Sequence, residues 1–102
     1  MDTDKIITTA KSRFAHEANR RVLKEKYEAK MLFAHAGGMW RAGPELLNIL
    51  HICKDTDPLV ILDLYDNPVQ VNVQELFDLA QQRWQEQMTA WLIELDNSRK
   101  QR

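Results

Sequence analysis

The chain has 102 residues, with 14 Lys and Arg against 15 Asp and Glu, and its 44% hydrophobic content is that of a single globular domain. One cysteine excludes an intramolecular disulfide framework, and three scattered histidines do not supply the spacing of a zinc finger. No apolar run approaches the roughly 18 residues that a membrane-spanning helix needs, and the acidic start of the chain is unlike a signal peptide. The sequence therefore predicts a cytoplasmic protein with no membrane partner.

The first predicted element is a long basic helix over residues 1–30, which contain no glycine and no proline. Its apolar residues recur at every fourth position: Ile6, Ala10, Phe14, Ala18 and Val22. Two of the five are alanines, which remove little surface from water. A helix of this length spans about 40 Å, more than the compact part of so small a domain. We therefore expect its first half to project and to need a partner or a second copy.

Residues 31–102 predict a small α+β body that begins with a hairpin and a short helix. The pair Gly37-Gly38 lies between two apolar runs and suits a two-residue turn. Alternatively, the first helix continues to Ala36 and ends at Gly37. Pro44 next opens a short helix that ends near Lys54, and because its residues are apolar almost all round, we expect it to be buried.

A second hairpin is predicted from two apolar runs, residues 59–65 and 68–73, with Asp66-Asn67 as the turn. The acidic residues in and before this hairpin are spread over a strand and several turns: Asp55, Asp57, Asp63 and Asp66. A metal site needs carboxylates that converge on one point. The sequence therefore predicts a solvated acidic surface here.

The last predicted element is a helix that starts at Asn72 and runs to about residue 97. Glu75 follows Asn72 at the spacing of a capping box. Trp84 and Trp91 are seven residues apart and therefore share one face. The fold expected from the whole chain is α+β, with two long helices flanking a small antiparallel sheet of β-hairpins and one short buried helix.

Charge is segregated along the chain. Residues 1–30 carry eight positive against five negative side chains, whereas residues 42–96 carry two against ten, a difference of −8. Arg99, Lys100 and Arg102 form a basic tail. A dipolar layout of this kind favours self-association, or docking to a charged partner, by steering.

No catalytic constellation is evident in the sequence. His51 and Cys53 are two residues apart on a predicted helix and do not face each other, and the glycines do not match a phosphate-binding loop. We therefore predict no enzymatic activity, no cofactor, no metal and no small-molecule substrate. An enzyme with its site at His35 and Trp40 would need a concave pocket at those residues.

A nucleic acid is the alternative partner to a protein. Basic residues of the first helix are candidate phosphate contacts: Lys11, Arg13, Arg20, Arg21 and Lys24. The basic tail would add to them. Glu17 and Glu25 interleave with these residues at helical spacing, which is typical of internal charge compensation.

Two segments of the body carry a resemblance, MLFAHAGGMWRAGPEL at residues 31–46 and YDNPVQVN at residues 65–72. Both resemble small uncharacterised proteins of contractile-tailed phages (myoviruses), especially those that infect cyanobacteria. The resemblance covers about residues 27–100 and leaves residues 1–26 outside it. It implies a phage protein acting in virion or tail assembly, located in the host cytoplasm or the virion, and it implies no functional residues.

The function expected from these observations is that of a non-enzymatic protein–protein interaction module. It would be an oligomer acting in assembly or as an adaptor. Large apolar side chains on the two long helices are its predicted partner contacts: Ile6, Phe14, Val22, Trp84 and Trp91.

Overall fold

A computed structural model describes the backbone of residues 3–100 and the side chains of residues 15–100. The elements follow in the order α1 (Thr3–Lys30), β1 (Leu32–His35), β2 (Gly38–Arg41), α2 (Pro44–Ile52), β3 (Leu59–Leu62), β4 (Pro68–Val71) and α3 (Val73–Lys100). The α+β class predicted from the sequence is confirmed, with long helices at both ends of the described chain.

The first hairpin turns one residue earlier than the sequence predicts. Ala36 and Gly37 form the turn, with φ of 54° and 81°, and His35 lies opposite Gly38 across the two strands. Two consecutive residues of positive φ are the signature of the tight turn that suits strand twist. The prediction of Gly37-Gly38 as the turn is therefore wrong by one residue, and the alternative of a first helix continuing to Ala36 is wrong altogether.

Gly38 belongs to β2 because there is no room for a side chain at that position. A Cβ atom built on Gly38 would lie 3.0 Å from the Trp40 ring, 3.1 Å from a Val69 methyl and 3.3 Å from the Asp63 Cβ. Gly38 is itself buried. The two hairpins meet at this residue.

The second hairpin is shorter than predicted, and its turn is longer. Leu59 pairs with Val71 at one end of the hairpin and Leu62 pairs with Pro68 at the other. The chain between these strands occupies residues 63–67, so a turn made by Asp66 and Asn67 alone is wrong.

The hairpins form two separate two-stranded sheets, which corrects the prediction of one sheet. One backbone hydrogen bond joins them, from the Leu64 N–H to the Met39 carbonyl at 2.7 Å. The ladder does not continue because the Met39 N–H donates to the Asp63 carboxylate at 3.1 Å instead of to a strand carbonyl.

Asp63 connects the two hairpins. The sequence predicts that it belongs to a solvated acidic surface, and for this residue the prediction is wrong. This carboxylate is buried, and besides Met39 it accepts hydrogen bonds from the Tyr65 and Asn67 N–H groups, each at 3.0 Å. The bonds from Asn67 and Met39 hold the pKa of Asp63 below its usual value, against the opposing effect of burial.

The short helix α2 is amphipathic and not buried all round. Leu46 and Leu50 face the core, whereas Ile49 is 45% and Ile52 is 72% exposed. Only one side of α2 packs against the rest of the molecule, chiefly on α3. The prediction of a wholly buried helix fails because apolar composition does not show how many sides are covered.

The core lies between α2, α3 and the inner faces of both hairpins. Its buried side chains are Met31, Phe33, Trp40, Ala42, Leu46, Leu50, Leu59, Val71, Leu76 and Ala80. Leu50 and Leu76 are fully enclosed. The predicted helix cap is confirmed, since the Asn72 side-chain oxygen accepts the Glu75 N–H at 3.0 Å and orients the start of α3 over the core.

Beyond the core, α1 and α3 run antiparallel as a two-helix rod. Tyr27 of α1 stacks on Trp91 of α3, with ring centroids 5.8 Å apart, and nearer the far end the Asn19 amide donates to the Ser98 hydroxyl at 2.8 Å. Neither helix of the rod, over the described residues, has an apolar stretch that could span a membrane.

The first part of α1 extends past the end of α3. Because Asn19 lies beside Ser98, residues 3–15 pass beyond Lys100 for about 20 Å at the helical rise. We call residues 3–15 the leader. The molecule is accordingly long and thin, with extents of 66 × 24 × 21 Å.

Candidate functional site

An open apolar groove of about 690 Å³ lies where the rod meets the body. We call it the tryptophan groove, because all three tryptophans line it. Its other large apolar lining residues are Met31, Leu46, Ile49, Leu62, Leu64 and Met88. A concave, mostly apolar surface with few polar groups has the character of a binding site.

Two elements, α3 and β2, position the three tryptophans. Trp84 and Trp91 occupy the same face of α3, two turns apart, as their spacing predicts. Trp40 comes from β2 and is only 2% exposed. Its indole N–H donates to the His35 carbonyl at 2.9 Å, so the one polar atom of this ring is satisfied within the first hairpin.

The rim of the groove carries exposed aliphatic side chains. Ile49 of α2, Leu62 of β3 and Met88 of α3 line the groove and are 45%, 60% and 39% exposed. Leu92, one turn after Met88 on α3, is 57% exposed and continues the apolar surface along the rod. Contiguous exposed apolar surface of this kind marks interaction sites.

A polar cluster on the rod fixes the inner wall at Trp91. The Glu94 carboxylate accepts hydrogen bonds from the Lys26 ammonium at 2.8 and 2.9 Å and from the Tyr27 hydroxyl at 2.6 Å. Tyr27 is in turn the residue on which Trp91 stacks. The ammonium groups of Lys26 and Lys30 also lie 5.3 and 5.1 Å from the centre of the Tyr27 ring.

The hydrogen bonds of this cluster shift the acid–base behaviour of its members. Those from Lys26 and Tyr27 hold the pKa of Glu94 below its usual value. The same bonds to Glu94 raise the pKa of Lys26 and of Tyr27. All three groups therefore keep their bonded protonation states throughout the neutral range.

The polar lining of the groove consists of charged side chains at its border and one buried carboxylate. Glu28, Arg41 and Glu45 are exposed and border the groove, and the Asp63 carboxylate is engaged by three backbone N–H groups. Trp40 lines the groove, whereas His35 is not among its lining residues. Among the described side chains, those of residues 15–100, no group of His, Cys, Asp and Glu is placed to hold a metal ion.

The predicted partner contacts divide into three groups. Trp84 and Trp91 are brought together in the groove. Val22 is 61% exposed but does not line it. The side chains of Ile6 and Phe14 lie outside the described residues, although both positions belong to α1.

Three of the five candidate phosphate contacts have described side chains, and all three lie on the surface of the rod. Arg20, Arg21 and Lys24 are exposed, and the Lys24 ammonium lies 3.8 Å from the Glu28 carboxylate one turn later. The side chains of Lys11 and Arg13 lie outside the described residues. From opposite ends of the chain, Arg20 and Arg99 border the same small depression between α1 and α3.

Several residues of the groove escaped the sequence prediction. Met88 lies between Trp84 and Trp91 at helical spacing, so its position on their face was readable from the sequence. Trp40, Ile49 and Leu62 reach the groove through hairpin register and the packing of α2, for which the sequence offers no local signal.

The chain matches no protein-family model, no curated protein and no solved structure. Function is therefore inferred from the chemistry of the groove and the shape of the molecule.

Proposed function

We propose that the chain is a non-enzymatic protein–protein interaction module that docks an apolar segment of a partner in the tryptophan groove. The observation that supports this function is the groove itself, in which Trp40, Trp84 and Trp91 form the walls and exposed aliphatic side chains form the rim. Tryptophans in water-excluding pockets supply much of the binding energy of protein interfaces.

The proposed role is that of an assembly or adaptor protein, as the resemblance to phage proteins implies. The 12.0 kDa chain offers the tryptophan groove and a charged rod as surfaces for docking other chains. The charged residues Glu28, Arg41 and Glu45 beside the groove set the orientation and the rate of docking.

Site-specific photo-cross-linking tests this function with a pair of neighbouring positions on one helix. A photoreactive phenylalanine replaces Ile49, which lines the groove, or Ile52, which is more exposed but does not line it. The cells that produce the protein are then irradiated. We expect polypeptide adducts from position 49 and none from position 52. Absence of adducts from both positions, or equal adducts from both, would contradict the proposal.

A second candidate function is nucleic-acid binding by α1 and the basic tail. The observation that favours it is the convergence of Arg20 and Arg99 on one depression, which joins the two basic ends of the chain. Binding of the full chain to a generic duplex, measured over a series of salt concentrations, tests it. Steep loss of affinity with salt supports phosphate contacts, and no binding at low salt excludes them.

A further inference from the structure

The molecule exposes far more surface than a compact monomer of its mass. Its accessible surface is 7652 Å², whereas a folded monomer of 12.0 kDa exposes about 6,000 Å². Its radius of gyration is 19.4 Å, against about 13 Å for a compact chain of this length. The excess, about 1,700 Å², is roughly twice what each partner hides in a standard interface.

The leader is the part of α1 whose backbone has no stretch of α3 beside it in the described chain. It continues α1 past Lys100, the last described residue of α3. Its sequence nevertheless holds large apolar residues at Ile6, Ile7 and Phe14. Nine residues separate Phe14 from Leu23, which is buried in the rod, and nine residues amount to about half a turn beyond two full turns. At the helical repeat, position 14 is therefore on the opposite side of α1 from position 23.

Charge makes the leader and the body complementary. The leader carries three basic residues, Lys5, Lys11 and Arg13, against one acid, Asp4. Residues 42–96, which include α2, both strands of the second hairpin and most of α3, carry ten acids against two basic residues. The positively charged leader of one copy is therefore attracted to the negatively charged body of another copy, whereas two leaders repel each other.

Building on the interaction function above, we propose that the tryptophan groove is occupied by the leader of a second copy of this chain. Each copy donates its leader and receives its partner's, which gives a two-fold symmetric dimer with two identical contacts. The rods lie antiparallel, and each leader lies beside α3 of the partner copy. Phe14 and Ile6 of one copy lie along Met88, Trp91 and Leu92 of the other.

This arrangement accounts for the excess surface and for the exposed rim together. The reciprocal contacts bury the leader and the groove of both copies at once, which doubles the area gained by one docking event. The surface available is about twice the 800 Å² that each partner of a stable dimer hides. An extended leader then becomes one arm of a closed pair and does not propagate into a fibre.

Sedimentation equilibrium of the full chain and two matched variants tests the dimer. Leu92 and Ile93 are neighbours on α3 with almost the same exposure, 57% and 56%, but they point about 100° apart. We expect the unmodified chain to have twice the mass of 12.0 kDa at micromolar concentration. Leu92→Asp lowers the mass to that of one chain, and Ile93→Asp leaves it doubled. Circular dichroism of both variants checks that their helix content is equal.

Phe14→Asp supplies an independent arm, because it changes the leader without touching the groove. We expect this variant also to sediment as a single chain. A single-chain mass of the unmodified protein at millimolar concentration would overturn the dimer. Equal dissociation by Leu92→Asp and Ile93→Asp would overturn the groove as its location.

Cross-linking from position 49 separates this inference from the function on which it rests. Adducts of two copies of the chain support both. Adducts with a different polypeptide, from a chain that sediments alone, retain the interaction function and overturn the dimer. Absence of polypeptide adducts removes both.

Discussion

The body and the rod of this molecule are stabilised in different ways. The body encloses Leu50 and Leu76 completely and ties its two hairpins together through the buried Asp63 carboxylate. In the rod, α1 and α3 are held by the buried Leu23 and Tyr27 and by polar contacts such as that of Lys26 with Glu94. The body thus has a fully enclosed core, whereas the described part of the rod buries fewer apolar side chains.

This difference indicates which part of the molecule the proposed association would involve. Burial of apolar surface is the main stabilising term in folding and in association alike. The rod leaves Met88, Leu92 and Ile93 exposed, so apolar surface remains available there for a partner. Variants that destabilise the body should therefore change folding, and variants on the rod should change association.

The largest expected effect is loss of a core leucine. Leu50→Ala removes a fully enclosed side chain and should lower the free energy of unfolding by about 2–5 kcal/mol. Leu92→Ala, on the exposed face of the rod, should change it by at most about 0.5 kcal/mol in the single chain. Urea unfolding at low protein concentration measures both. Similar losses in the two variants would remove the distinction between body and rod.

Overpacking the junction of the hairpins ranks next. Gly38→Ser brings a side chain against the Trp40 ring and a Val69 methyl, and should cost about 1–3 kcal/mol. Gly43→Ser is the control, because a Cβ atom at Gly43 meets nothing within 4 Å and serine caps a helix well. The difference in thermal midpoint between the two variants is the readout. A Gly38→Ser protein as stable as the control would show that the hairpins do not meet closely at this residue.

Acid should weaken the link between the hairpins. The lowered pKa of Asp63 means that its contribution to stability is present above the usual value of 3.8 and is lost as the pH falls through the lower pKa of the folded state. Asp63→Asn should therefore be less stable than the unmodified chain at neutral pH, and the gap should narrow below pH 3.8. Urea midpoints from neutral pH to pH 3 measure this, with exposed Asp55→Asn as the control. A gap that stays constant with pH would contradict the assignment.

The smallest effect is expected on the rod itself. Glu94→Gln removes the negative charge of the group that accepts hydrogen bonds from the Lys26 ammonium and the Tyr27 hydroxyl. We expect this change to weaken the contact of α1 with α3 without unfolding the body. Amide hydrogen exchange should accelerate over residues 19–27 and stay unchanged at Leu50 and Leu76. Exchange that accelerates equally in rod and body would mean that the two parts unfold as one unit.

Local signals in the sequence predicted the elements well. The absence of proline and glycine marked α1, and the pairing of Asn72 with Glu75 marked the start of α3 within one residue. The helical spacing of Trp84 and Trp91 placed both on one face, and both line the groove. Periodicity and capping are properties of neighbouring residues, which is why they can be read from one chain.

The parts that failed depend on contacts between distant residues. The sequence does not distinguish Asp63 from other acidic turn residues, because its hydrogen-bond partner Met39 lies 24 positions earlier in the chain. Ile49 and Ile52 are the same type of residue in the same helix. Only the packing of α2 determines that Ile49 lines the groove and Ile52 does not. The groove was for this reason predictable at Trp84 and Trp91 and not at Trp40 or Leu62.

The most direct test of the proposed dimer is whether the leader of one copy lies close to the tryptophan groove of another. In a Cys53→Ser background, Ala10→Cys carries a nitroxide spin label on the leader, and this unenriched chain is mixed with ¹⁵N-enriched chain that bears no label. We expect the indole N–H signals of Trp84 and Trp91 in the enriched chain to broaden relative to a sample in which the label is reduced. Unchanged intensities of both signals in the mixture would contradict the docking of one copy's leader in the groove of another.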